Sequence, residues 1–187
     1  MPLPHPSILG SVYCLSEIFL AVTRRSGSSA VSRDRRSLLL LWAVILISIF
    51  LGVSIQALCP NGRLPHPRAY YLFGVVLFFG GIVLRWWSIL YLGRLFTVDV
   101  AIANQHKLID SGPYLFIRHP SYTGALLAFV GFGLCLGNWL STLSVTLPIL
   151  AAFMWRIRVE EQVLLEAFGD EYRAYMHHTK RLIPFVY

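Results

Sequence analysis

From Ser121 through Trp155 the chain carries no charged residue. The run is too long for one crossing of a hydrocarbon core, which takes about 20 apolar residues. Gly137-Asn138 interrupts it near the middle, and that pair is turn chemistry. The pattern predicts two antiparallel helices joined by a tight turn, the second kinked at Pro148. Spans in lipid must satisfy their backbone polar groups internally, so the expected fold class is all-α.

The remaining apolar stretches extend this to a polytopic membrane helix bundle. Leu38–Leu58 has no charge, and only Ser48, Ser54 and Gln56 interrupt it. Ala69–Leu92 is broken by Arg85, and a weaker stretch, Ser7–Val22, contains Glu17. Five transmembrane helices are expected, at roughly 7–22, 38–58, 69–92, 121–137 and 139–155, in a single domain over 1–187. Charged residues make up 13% of the 187, against about 25% in soluble domains, so lipid must cover much of the surface. Segments 93–120 and 156–187 hold most of the remaining functional side chains. After Arg156, residues Val163, Leu164, Leu165, Phe168, Tyr172 and Tyr175 recur at helical spacing among charges. They predict an amphipathic cytoplasmic helix that pauses at Gly169 and ends by Pro184.

Arg24, Arg25, Arg33, Arg35 and Arg36 face only Asp34 in the first loop. By the positive-inside rule that loop is cytoplasmic. The N-terminus is then outside, and 93–120 and the tail share the cytoplasmic face. Arginines flanking spans account for the net charge of +7 without nucleic acid as a partner. Met1–Pro6 lacks a basic leader, so the first apolar stretch is expected to be retained. Cys14, Cys59 and Cys135 have neither disulfide nor zinc spacing, and no metal site is expected. Gly80-Gly81 and Gly131-Phe132-Gly133 lie within spans, where glycines serve close helix packing.

Three features carry candidate chemistry. The segment His106–Gly124 packs two histidines, Arg118, Tyr114, Tyr122 and several turn residues ahead of a span that opens with Pro120. That helix start suits an anion, while interfacial anchoring explains the same composition. Arg156 and Glu160 share a helix face at i, i+4, either as a site or as a solvated pair. Arg158 with Glu161 or Gln162 reads as a solvated pair. Arg85 is a functional candidate because it lies within a span, or it snorkels to the interface. Trp86, Trp87, Phe129 and Phe153 either line a lipophile path or form a lipid-facing belt.

Taken together, His106–Leu108, Ser111-Gly112-Pro113-Tyr114, Arg118-His119-Pro120-Ser121-Tyr122 with Gly124, Arg156 four residues before Glu160, Phe168–Tyr172 with Tyr175, and Arg181-Leu182-Ile183-Pro184 resemble the isoprenylcysteine carboxyl methyltransferase family. The likeness covers about half the chain, from Leu92 onward. It implies a helical membrane fold and S-adenosylmethionine as cofactor. It implies that His106, Lys107, Leu108, Ile109, Tyr114, His119, Pro120, Ser121, Tyr122 and Glu160 surround that cofactor. Arg156 would face the carboxylate of a prenylcysteine-like substrate, and Arg118 would be a second essential basic residue. Methylation of a phospholipid or other small lipophile is an alternative. So is an NADPH-dependent sterol or enone reductase, and so is a non-catalytic scaffold.

Overall fold

A computed structural model describes residues 5–23, 35–93 and 108–184. His106, Lys107 and most of the arginine-rich first loop lie outside them. The described residues form six α-helices: α1 Ser7–Thr23, α2 Arg35–Leu58, α3 Pro67–Leu92, α4 Pro120–Cys135, α5 Trp139–Phe168 and α6 Asp170–His178. Three of these, over Leu38–Leu58, Pro67–Leu92 and Trp139–Phe168, are long and apolar enough to cross a membrane; α1 and α4 are shorter apolar helices.

The α4–α5 hairpin forms as the Gly-Asn pair predicts. Gly137 takes a positive φ of 70°, which costs glycine nothing. Asn138 caps α5, its Oδ1 accepting from the N–H groups of Leu140 and Ser141. Its Nδ2 donates to the Cys59 carbonyl at 2.8 Å. That bond ties the hairpin turn to the α2–α3 connection at one end of the bundle.

Past Trp155, where the uncharged run ends, α5 continues unbroken to Phe168. The change there is one of composition, and neither Gly nor Pro stands at 155–156 to end a helix. At about 1.5 Å per residue such a helix exceeds the roughly 30 Å apolar thickness of a bilayer. Its charged last turns therefore reach beyond a hydrocarbon core. The break falls at Gly169, where α6 begins.

The core lies where α1 to α5 meet, with α2 contributing Leu41 and Ile45. Leu9 and Tyr13 of α1 pack with Phe78 of α3, Phe129 and Phe132 of α4, and Ile149 and Phe153 of α5. Helices α3 and α4 cross with backbones in contact at two reciprocal glycine pairs, Gly74 with Gly131 and Gly81 with Gly124. A Cβ on Gly124 would stand 2.5 Å from the Gly81 carbonyl oxygen. Gly80, expected beside Gly81, faces open space. Phe129 and Phe153 are core residues, 3% exposed, and so do not belong to a lipid-facing belt. Leu39, Phe50, Val76 and Val83 point outward and stay exposed, as a chain surrounded by lipid allows.

Candidate active site

At the end opposite the hairpin turn, the segment before α4 is strapped to the segment after α6. The backbone N–H of Arg118 donates to the Lys180 carbonyl at 2.7 Å, and that of His119 to Arg181 at 3.0 Å. The Thr123 hydroxyl donates to the Leu182 carbonyl at 2.8 Å, and the Tyr175 hydroxyl to the Tyr114 carbonyl at 2.6 Å. Pro120 occupies the first turn of α4 and is fully buried. Residues 108–124 and 156–182 thus meet at one end of the molecule.

Glu161 is the hub of this junction. Its Oε1 accepts from Arg118 Nε at 3.0 Å and lies 3.4 Å from His119 Nε2. Its Oε2 accepts from Arg181 at 2.8 Å. The side chain is 4% exposed, so the reading of Glu161 as part of a solvated pair with Arg158 is overturned. Arg118, expected as a second essential basic residue, meets Glu161 from the opposite side of this junction. Its guanidinium serves Glu161 and the carbonyls of Met176 and Thr179, which makes it a tether between three chain segments.

Glu160 points elsewhere, because one helical step turns the side chain by about 100°. Its Oε2 accepts from the Tyr122 hydroxyl at 3.0 Å. Arg156, one turn earlier, is 2% exposed and lies against the same hydroxyl. The Tyr122 ring packs between His119 and Phe153, with centroids 5.8 and 5.2 Å away. Phenol, carboxylate and guanidinium therefore form one fixed group backed by the aromatic core. Such a group offers an acceptor for a cation or hydroxyl beside a cationic fork for an anion.

The other expected site residues divide. Ser121 accepts from Arg85 through its hydroxyl at 3.0 Å and its carbonyl at 3.4 Å. Tyr114 is buried and donates to the Ser88 carbonyl at 3.3 Å. Burial, with Glu160 nearby, pushes its hydroxyl above the ordinary range, so it remains a donor. Leu108 and Ile109 are half-buried in irregular chain. Arg85 does not snorkel: Nε and Nη2 donate to the two carboxylate oxygens of Glu17 at 2.7 and 2.8 Å. No group of three or more metal-ligating side chains occurs among the described residues.

Sequence reasoning missed Glu161, Arg181 and Glu17. Arg181 sits inside a quoted motif and Glu161 follows one, but nothing local pointed to their partners across the chain. Glu17 was the one acid in the first apolar stretch, and a basic residue in another span was its available signal.

The profile of a family described as phospholipid methyltransferase matches residues 69–171, over half the chain and inclusive of Tyr114, Tyr122, Arg156 and Glu160. The chain belongs to the phospholipid methyltransferase family. It is similar to a probable protein-S-isoprenylcysteine O-methyltransferase of Oryza sativa subsp. indica, 38% identical over 115 residues, 60% of each chain. It is also similar to the protein-S-isoprenylcysteine O-methyltransferase of Schizosaccharomyces pombe. That match is 35% identical over 108 residues, 57% of this chain and 46% of the yeast protein. Among solved structures it is similar to the eukaryotic intramembrane Ras methyltransferase, isoprenylcysteine carboxyl methyltransferase. The TM-score is 0.59 at 27% identity, covering 83% of this chain and 55% of that one. The matches thus span about half to three-fifths of these family members. With three helices of crossing length, this family member is an integral membrane protein.

Proposed function

We propose that the chain is an S-adenosylmethionine-dependent O-methyltransferase acting on the carboxylate of a lipophilic, prenylcysteine-like substrate. The observation that carries this reading is the Tyr122–Glu160–Arg156 group at the polar end of the bundle, in a chain similar to proteins of that name.

The side chains fit such a cofactor. Glu160 is half-exposed and held in place by Tyr122, so it is placed to accept from an ammonium or a ribose hydroxyl. By the family likeness, His106, Lys107, Leu108, Ile109, Tyr114, His119, Pro120, Ser121 and Tyr122 complete the cofactor's surroundings. When bound, S-adenosylmethionine supplies an activated methyl group on a sulfonium.

The protein's own task is positional. A free carboxylate with pKa about 3.5 is already anionic at neutral pH, so no general base is needed. Arg156 binds the substrate carboxylate as a planar two-pronged donor and aims one oxygen at the methyl carbon, at a reacting distance of about 3–3.5 Å. Arg118, through Glu161 and the carbonyls of Met176 and Thr179, positions His119 and the tail. A cationic amine acceptor is disfavoured beside Arg156, which argues against phospholipid amines despite the family's description. In this reading five helices cross the bilayer, the N-terminus is outside, and the site faces the cytosol. The lipophilic tail then arrives from the membrane and the cofactor from water.

The test is transfer of labelled methyl from S-adenosylmethionine to N-acetyl-S-farnesylcysteine by purified protein, with lipid extract as a parallel acceptor pool. Label in the farnesylcysteine ester supports the proposal, and label only in lipid amines replaces its acceptor. Calorimetric heat with NADPH and none with S-adenosylmethionine overturns it in favour of a reductase.

A further inference from the structure

The Glu17–Arg85 pair sits apart from the residues above, yet it ends on one of them. Glu17 and Arg85 meet through two parallel hydrogen bonds between α1 and α3, with side chains only 8% and 15% exposed. Beside them Trp86 donates its indole N–H to Ser16 at 2.7 Å. The remaining arm of the guanidinium, Nη1, crosses to α4 and donates to the Ser121 hydroxyl and toward its carbonyl. One turn further along α4, Gly124 packs against the Arg85 backbone, where a Cβ would stand 2.6 Å from its nitrogen. The α3–α4 crossing is therefore tight at this point, and Arg85 grips the first turn of α4 from the same level.

The residue after Ser121 is Tyr122, which holds Glu160. In a helix, rotation of Ser121 carries Tyr122 with it. The glycine contact fixes how closely α4 approaches α3, and the hydrogen bonds at Ser121 fix its rotation. Glu17 in turn holds the fork so that Nη1 faces Ser121 of α4. A buried ion pair is weak evidence of stabilisation, since desolvation offsets most of its attraction. Its forked geometry is the more informative property.

We infer that Arg85, oriented by Glu17, is a positioning residue for the cofactor side of the site, setting through Ser121 the direction in which Tyr122 presents itself to Glu160. This rests on the function proposed above. It gives α1 a role in the chemistry although it contributes no residue to the Tyr122–Glu160–Arg156 group.

The experiment compares wild-type protein with Arg85→Lys and with Glu17→Met/Arg85→Met. It reads S-adenosylmethionine binding by calorimetry, melting temperature, hydrogen exchange over residues 119–125, and KM for N-acetyl-S-farnesylcysteine. A lysine keeps the charge opposite Glu17 but cannot reproduce the planar fork that serves Glu17 and Ser121 together. Expected for Arg85→Lys is a melting temperature within about 3 °C of wild type. Cofactor Kd rises about tenfold, exchange at 119–125 is faster, and the acceptor KM stays within about twofold. A pair serving only to hold α1 would be rescued by lysine in every readout. If the lysine variant does not fold, the double methionine variant, which leaves no buried charge unpaired, carries the same comparison. Wild-type cofactor affinity in either folded variant overturns the inference. Absence of S-adenosylmethionine binding by the wild type instead overturns the functional reading, and this inference with it.

Discussion

Glu160 and Glu161 are adjacent in α5 and serve different partners: Glu160 accepts from Tyr122, whereas Glu161 gathers Arg118, His119 and Arg181. One carboxylate is half-exposed beside Arg156 and the other is buried beneath the tail. The pair divides binding from assembly, and the variants below separate the two roles.

Glu160→Gln keeps the shape and an acceptor oxygen while removing the charge. It should raise the Kd for S-adenosylmethionine by about tenfold, the scale of a hydrogen bond to a charged group, with a smaller change in acceptor KM. Equal cofactor affinity in titrations of the two proteins would detach Glu160 from the cofactor.

Arg156→Lys should lower kcat/KM for the farnesylcysteine acceptor by about 10- to 100-fold, because an ammonium lacks the planar fork. Steady-state kinetics decide it; values matching wild type would remove Arg156 from the carboxylate.

Glu161→Ala strands two guanidinium groups, one of them fully enclosed. Breaking a buried pair from one side costs about 3–5 kcal/mol. The apparent melting temperature should fall steeply, and proteolysis within 179–184 should quicken. A melting curve superimposable on wild type would show that the tail is held by other means.

Tyr172→Phe runs the opposite way. The Tyr172 hydroxyl is buried without a hydrogen-bond partner among the described residues, and burial pushes its ionisation above the ordinary range. Removing an unsatisfied buried group relieves a cost of about 1–3 kcal/mol, so the variant should melt at or above the wild-type temperature. A clear loss of stability would mean that the hydroxyl is engaged in solution.

Gly124→Ala and Gly80→Ala form a matched pair. At 124 the new methyl meets the backbone of α3, and overpacking of this kind costs about 1–3 kcal/mol. At 80 it meets nothing within 4 Å, and alanine should gain about 0.5–1 kcal/mol from helix propensity. Thermal melts of both variants check the pair; equal shifts would contradict the crossing.

Much of the bundle was legible because each signal was local. Apolar runs mark the helices, and Gly137-Asn138 marks the one tight turn that a long uncharged stretch requires. Beyond Arg156 the helical spacing of the apolar residues marks the continuing helix, since charge begins there without any backbone reason to stop. The group formed by Tyr122, Arg156 and Glu160 was partly readable, because Arg156 and Glu160 are one turn apart. Glu161 was misread for the same reason: a helix rich in charge gives no hint of which face is covered by a distant tail. Arg85 was recognisable as unusual, but its partner is 68 residues away, beyond any spacing rule. His106 and Lys107, central to the family likeness, lie outside the described residues.

The strap between 117–119 and 180–182 sets an order of events during biosynthesis. The start of α4 is made before its partners and gains them only once residues 180–182 have also left the ribosome. Until then the backbone N–H groups of Arg118 and His119 lack the carbonyls they hold in the folded chain. The junction therefore closes after its two halves are made, as one late docking step.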